Sequence, residues 1–177
     1  SLGSGLSGGN GFLRVSALAV SGSELFVGGE FSSADGIAAN HIAKWDGSGW
    51  AAFGPAMGMN GNVYALAVGD TELFVGGNFT VAGGAPANRI AKWDGSTWSA
   101  LGSGLDGYVS ALAVAGTDLY AGGSFTMAGG VTANRIAKWD GTSWSALGSG
   151  MNNIVKAVVV SDGTVYAGGM FTLAGGV

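Results

Sequence analysis

The sequence predicts an all-β fold, a β-propeller of four-stranded antiparallel blades with about 3.5–4 blades in this chain. Three observations predict it. A double glycine recurs at Gly28-Gly29, Gly76-Gly77, Gly122-Gly123 and Gly168-Gly169, in steps of 48, 46 and 46 residues, and each pair is followed by a phenylalanine at Phe31, Phe79, Phe125 or Phe171. A Trp-Asp-Gly triplet recurs at Trp45, Trp93 and Trp139, with a second tryptophan five residues on at Trp50, Trp98 and Trp144. No window carries helical periodicity, so every element must be built as a strand. A repeat of this length that cannot bury both its faces alone must stack on its neighbours.

The elements follow in order within each copy. The first strand is VSALAV from Val15, VYALAV from Val63, VSALAV from Val109 and VKAVVV from Val155. It is apolar on both faces and alanine-rich, which suits a crowded position near a central axis. A four-residue polar turn (SGSE, GDTE, AGTD or SDGT) leads to the second strand, LFVGGEF from Leu25 and its copies at Leu73, Leu119 and Val165. Paired glycines inside a strand predict a bulge or a close approach, expected here from an aromatic ring of an adjacent strand or blade. The segment TVAGGAPAN and its copies are the most loop-like part of the repeat. The third strand, IAKWD, starts at Ile42, Ile90 and Ile136. Asp46, Asp94 and Asp140 are placed to bond the turn backbone before a fourth strand that starts at Trp50, Trp98 or Trp144.

These boundaries divide residues 1–177 into repeats 15–62, 63–108 and 109–154, a partial repeat 155–177, and a leading segment 1–14 that reads as the tail of a preceding copy. The linker between copies varies in length, as surface loops do. Because the last copy stops before its third strand, the expectation is an excerpt of a longer ring or a homo-oligomer that closes a ring through open blade edges. The chain opens at Ser1 without a charged-then-apolar leader, which predicts a processed, excised or recombinant product.

Composition narrows function. Glycine supplies 36 residues, only 10% of residues are charged and 47% are hydrophobic, so this is a folding chain and not a disordered one. The formal charge is −4 and the seven Lys and Arg are scattered, which argues against a nucleic-acid partner. There is no apolar run of membrane-spanning length, so no membrane insertion is expected. Cysteine is absent, so neither a disulfide frame nor thiolate chemistry is available, and the redox compartment stays open.

The run FVGG at Phe74, WDG at Trp93 and the following Trp98 resembles the kelch-type blade. The fuller pattern, Leu-Tyr/Phe-Val/Ala-Gly-Gly-x-Phe and then Asn-Arg-Ile-Ala-Lys-Trp-Asp-Gly, is similar to kelch-like repeats of fungal cortical-marker surface proteins and long secreted bacterial proteins. The resemblance covers essentially the whole chain. It implies a propeller in an extracellular or cell-surface protein, and it specifies no ligand, because propellers host many activities.

Candidate sites are few. The pairs Asn40-His41, Asn88-Arg89 and Asn134-Arg135, repeated around an axis, would form a ring of donors fit for a carboxylate or a sugar hydroxyl; the competing reading is a turn-forming Asn and an Arg paired with a nearby Asp. Trp45/Trp50, Trp93/Trp98 and Trp139/Trp144 read as blade packing ahead of stacking platforms for sugars or bases. The glycine pairs 28–29, 76–77, 122–123 and 168–169 read as structural. Lys44, Lys92 and Lys138 read as solvated positions beside Asp46, Asp94 and Asp140. Asn78-Phe79-Thr80 is an N-glycosylation sequon at one copy only. No Ser/His/Asp grouping, phosphate loop or metal-ligand spacing is present, so no enzyme, metal or cofactor is expected. The reading is a non-enzymatic scaffold with a protein or glycan partner. Its rivals are a lectin-like carbohydrate-binding propeller and one part of a larger kelch-like propeller enzyme.

Overall fold

A computed structural model describes residues 3–8, 13–54 and 58–176. The fold is the predicted one. Among the described residues there is no helix, and three four-stranded antiparallel sheets follow one another along the chain. Blade one consists of Arg14–Ser21, Glu24–Glu30, Ile42–Trp45 and Trp50–Ala51, in that spatial order. Blade two uses Val63–Val68, Leu73–Gly77, Ile90–Trp93 and Trp98–Ala100, and blade three Val109–Ala115, Asp118–Gly123, Ile136–Trp139 and Trp144–Ala146. The hairpin Val155–Ser161 with Thr164–Gly169 forms a half blade. The first strands of successive blades pack side by side and form the inner wall of the arc.

The glycine pairs explain how the blades fit, and they correct the expected approach by an aromatic ring. The first glycine of each pair faces the next blade. A Cβ on Gly76 would stand 2.6 Å from Cγ1 of Val109, and one on Gly122 2.6 Å from Cγ1 of Val155; Gly28 meets Val63 in the same way. The visitor is thus a valine from the neighbouring inner strand, and Val63, Val109 and Val155 are fully buried by it. The second glycine lies against its own blade, where the carbonyls of Arg14, Asn62, Tyr108 and Ile154 crowd Gly29, Gly77, Gly123 and Gly169. There the inner strand carries a bulge, with the register slipping between Val15 and Ala17, Val63 and Ala65, Val109 and Ala111, and Val155 and Ala157.

The segment read as loop is a small hairpin. Val81–Ala82 pairs with Ala85–Pro86 across Gly83-Gly84, and Met127–Ala128 with Val131–Thr132 across Gly129-Gly130. Both central residues have positive φ (55° and 84°; 59° and 86°), the primed turn that suits the twist of two-residue hairpins. In blade one, Asp35-Gly36 does the same between Ser33–Ala34 and Ile37–Ala38. Pro86 is tolerated because its strand lies at an edge. Pro55, in the linker after the first copy, and Ser1 and Leu2, in the leading segment, fall outside the described residues.

Two buried clusters span the joints between blades, and a third, with Val27, Phe31, Ala34 and Trp50, lies within the first blade and its hairpin. One cluster joins Phe26, Ile42, Phe53 and Met59 of the first copy to Val63, Leu73, Val75 and Phe79 of the second, and another joins Phe74, Ile90, Leu101 and Leu105 to Val109, Leu119 and Phe125. At the two ends of the arc this packing stops. Gly168 has nothing within 4 Å of where its Cβ would be, and Val15, the counterpart of Val63, is 44% exposed.

The same substitution should therefore behave oppositely along the chain. Gly122→Ala forces a methyl into Val155 and should lower unfolding free energy by about 1–3 kcal/mol, while Gly168→Ala should leave it unchanged or slightly raised. Urea unfolding of the two variants checks this; equal losses would contradict the packing.

Candidate functional site

The Asn-His and Asn-Arg pairs stand where each small hairpin hands the chain to the third strand. His41, Arg89 and Arg135 adopt left-handed backbone, with φ of 65°, 64° and 64°. Their peptide groups close a local loop. Arg89 N donates to Phe79 O and Gly77 N donates to Arg89 O, both at 2.9 Å, and Arg135 and His41 repeat the pattern. The glycine pair, the buried phenylalanine and the Asn-Arg pair are therefore one hydrogen-bonded unit.

The asparagines are spent on the linker that follows their own blade. Asn88 Nδ2 donates to Ser103 O and Asn134 Nδ2 to Ser149 O, each at 3.0 Å, while their backbone carbonyls accept from Leu105 N and Met151 N. Asn40 O accepts from Met59 N at 3.0 Å. The linker residues Gly58, Gly104 and Gly150 in turn accept from Gly83, Gly129 and Gly175 of the next hairpin at 2.8–2.9 Å. A side chain at these linker positions would collide with the asparagine backbone, and their φ values are positive. Each linker is thus pinned to the blade behind and the blade ahead.

The residue two positions after the pinned glycine was missed in the sequence. Asn60 Oδ1 accepts from Thr80 N and Val81 N, Asn152 Oδ1 from Thr172 N and Leu173 N, and Asp106 caps Thr126 and Met127 likewise. The signal was present as Gly-Met-Asn, Gly-Leu-Asp and Gly-Met-Asn, hidden inside linkers that differ in length.

The side chains of Arg89 and Arg135 have no hydrogen-bond or carboxylate partner among the described residues, so no Arg–Asp pair forms there. His41 places Nδ1 3.2 Å from Gly29 O. Two junction clefts include these residues: one of 320 Å³ with Asn134, Arg135 and Asn152, and one of 340 Å³ with His41, Asn60 and Asn78. A third cleft of 370 Å³ lies along the inner strands among Arg14, Tyr64, Tyr108 and Lys156, with the two tyrosines edge-on at 6.0 Å.

Each tryptophan pair packs within its blade at ring separations of 5.7, 5.2 and 5.4 Å. The pair Trp93/Trp98 also rests on Phe53 of the preceding copy, 5.4 and 5.3 Å away, and Trp144 Nε1 donates to Leu101 O at 2.9 Å across the joint between blades. The buried Trp98 Nε1 has no acceptor among the described residues.

The lysines are not paired with the aspartates that follow them. Lys44 binds Glu24 and Lys92 binds Glu72 at 2.6 Å, and Lys138 binds Asp118 at 3.0 Å, linking the third strand to the first turn of its blade. These pairs are about one-third exposed, so solvent screens them. Asp46, Asp94 and Asp140 each accept two turn N–H groups and neighbouring hydroxyls; Asp94 Oδ1 takes Ser96 N and Thr97 N, both at 2.8 Å. Among the described residues no three His, Asp or Glu side chains gather as a metal-holding group.

Two outcomes follow. Asn134→Ala should cost about 1 kcal/mol of stability through the lost linker bond, whereas Arg135→Ala should fall within about 0.5 kcal/mol of the parent; urea unfolding of both variants measures the difference. The turn hydrogen bonds, led by the Gly49 N–H, lower the Asp46 carboxyl from 3.8 to about 2, and those on Asp94 and Asp140 hold these carboxyls still lower. A depressed folded pKa contributes stability above the unfolded value and loses it as pH falls through the folded one. Melting temperature should therefore drop as pH is lowered from 3.8 toward about 2, and the drop should be smaller in Asp94→Asn. A level melting temperature across that window would contradict the assignment.

The computationally designed Ika4 protein superposes with a TM-score of 0.57 at 22% identity, covering 94% of this chain and 92% of that one. The designed Ika8 protein gives 0.57 at 21% identity over 87% of this chain and 42% of its own. The extracellular domain of BT4673 from B. thetaiotaomicron gives 0.53 at 14% identity, over 93% of this chain and 20% of that one. The chain thus spans less than half the length of two of these three proteins, and the likeness carries the fold. No curated protein sequence matches it. The Rax2 C-terminal beta propeller domain matches residues 4–153, nearly the whole run of stacked blades, and the chain belongs to that family.

Proposed function

We propose that the chain is a non-enzymatic propeller module, its blades of kelch type, that serves as a structural or interaction scaffold in a secreted or cell-surface protein. One observation carries the reading. Most of the polar and aromatic residues that recur at equivalent points of each copy, where a repeated site would have to lie, are used to hold a blade together or to join it to the next. The Asn amides hold linker carbonyls, the aspartates hold their own turns, the lysines hold acidic residues, and the tryptophans pack against Phe53 and each other. What is left to meet a partner is surface. Placement outside the cell is supported by the resemblance of the repeat to cortical-marker surface proteins and by the extracellular origin of the BT4673 domain.

A second reading, carbohydrate recognition at the blade junctions, has an observation in its favour. The 320 Å³ cleft places the unpaired Arg135 beside Asn134 and Asn152, and a guanidinium with amides is a fitting donor set for hydroxyls or a uronic carboxylate. A protein or a glycan is accordingly the partner class to test first.

Purified chain offered a broad panel of hydrolase and oxidoreductase substrates should show no turnover near the ordinary enzymatic range of about 1–10³ s⁻¹, and turnover in that range would overturn the scaffold reading. A glycan array separates the two readings: hits lost in Arg135→Ala would favour carbohydrate recognition, and an empty array would favour the scaffold alone.

A further inference from the structure

The inner strand of each copy carries one residue that its partner strand does not match. The register slips at Ser16, Tyr64, Ser110 and Lys156, which lie between the paired residues Val15 and Ala17, Val63 and Ala65, Val109 and Ala111, and Val155 and Ala157. The flanking valine and alanine recur in all four copies, while the bulged residue changes. A bulge re-aims its side chain, and these four converge: with Arg14 and Tyr108 they line one cleft of 370 Å³ on the inner wall of the arc. Blades stack through the faces that carry the glycine seats, so the cleft is on the axis side and not on a stacking face. Arg14 and Lys156 come from the first and fourth copies, and the half-buried Tyr64 and Tyr108, edge-on at 6.0 Å, from the second and third. Ser110 Oγ donates to Val155 O at 2.5 Å and ties the last two inner strands together at the wall. Lys44, Lys92 and Lys138 are each paired with an acidic residue, but among the described residues no carboxylate lines this cleft and neither Arg14 nor Lys156 forms an ion pair. Glu30, opposite Arg14 in the sheet, lines the junction cleft around His41 instead.

We propose that this cleft binds a small organic acid, its carboxylate held by Arg14 and Lys156 and its body laid against the rings of Tyr64 and Tyr108. Two cations without a protein counter-charge make the cleft a positive spot on a chain of net charge −4, which draws an anion to it. The planar guanidinium matches the two oxygens of a carboxylate, and the ammonium, phenol and hydroxyl groups supply further donors. The tyrosine rings offer apolar surface that an inorganic anion would leave unused, so the ligand has an organic body, and a flat one meets the two rings best. The volume falls within the range of about 300–1,000 Å³ typical of small-molecule sites. This inference goes beyond the scaffold reading, which assigns the inner wall no ligand, and its site is distinct from the junction clefts of the carbohydrate reading.

Benzoate is the probe, and the four tyrosines of the chain are the reporters. In low-salt buffer, benzoate added to chain with isotope-labelled tyrosine should shift the ring signals of Tyr64 and Tyr108 saturably and leave those of Tyr120 and Tyr166 in place. Neutral benzamide, of the same shape, should move none of them. Arg14→Gln and Lys156→Gln should keep their circular dichroism and each weaken benzoate binding about 10-fold, as expected on losing a charge-assisted hydrogen bond. Arg135→Ala, in a junction cleft, should bind benzoate as the parent does. The proposal is overturned if no tyrosine signal moves up to the solubility limit of the salt, if benzamide acts as benzoate does, or if both charge variants keep the parent's affinity. Inorganic phosphate shifting both rings where benzoate does not would overturn it as well. Each of these results leaves the scaffold reading standing, since that reading falls only to enzymatic turnover.

Discussion

A missing side chain sets the spacing of this molecule. Where the inner strand of one blade crosses the second strand of the blade before it, the backbones approach so closely that only a glycine fits beneath a valine. The buried clusters then form between blades, with Phe53 or Leu101 contributed from behind and Trp93/Trp98 or Trp139/Trp144 from ahead. A blade in isolation would leave its share of these interblade clusters in water. Stability is therefore a property of neighbours, as expected of a stacked repeat.

Polar groups reinforce the same joint from the outer side. Each linker is held by the asparagine of the blade it leaves and by the hairpin of the blade it enters, and the following Asn or Asp caps that hairpin's first turn. This arrangement engages the polar side chains that recur in each copy. An amide that holds two backbone groups is not free to bind substrate, and an aspartate gripped by turn N–H groups is a poor base. The clefts lie beside these joints, around His41, around Arg135, and along the inner strands with Arg14 and Lys156.

Much of the fold was legible in the sequence because its period is written in residues with few alternatives. Glycine pairs within apolar strands, Asp-Gly turns and paired tryptophans repeat at fixed offsets, and these give the strand order directly. Other features were not legible, for physical reasons. A glycine shows that something comes close but not what, so Val109 above Gly76 was mistaken for an aromatic ring. Two-residue strands such as Val81–Ala82 are too short to show alternation, although Gly83-Gly84 is a turn signal. The partner of Lys92 is Glu72, twenty residues away through the strand pairing, while Asp94 beside it in sequence is engaged by its own turn. At the candidate site, the asparagines are recognisable as turn residues, but the carbonyl each amide meets lies in a linker whose length drifts.

The stacking of blades rests on the coupling between the glycine seat and the valine knob, and a double-mutant cycle across Gly76 and Val109 measures it most directly. Gly76→Ala alone should destabilise the chain because its methyl meets Val109, and Val109→Ala alone should destabilise it by leaving a void. Together they should cost less than the sum, with a coupling of at least about 1 kcal/mol in urea unfolding. Additivity within about 0.3–0.5 kcal/mol would mean that the two residues do not share the joint and would contradict the account.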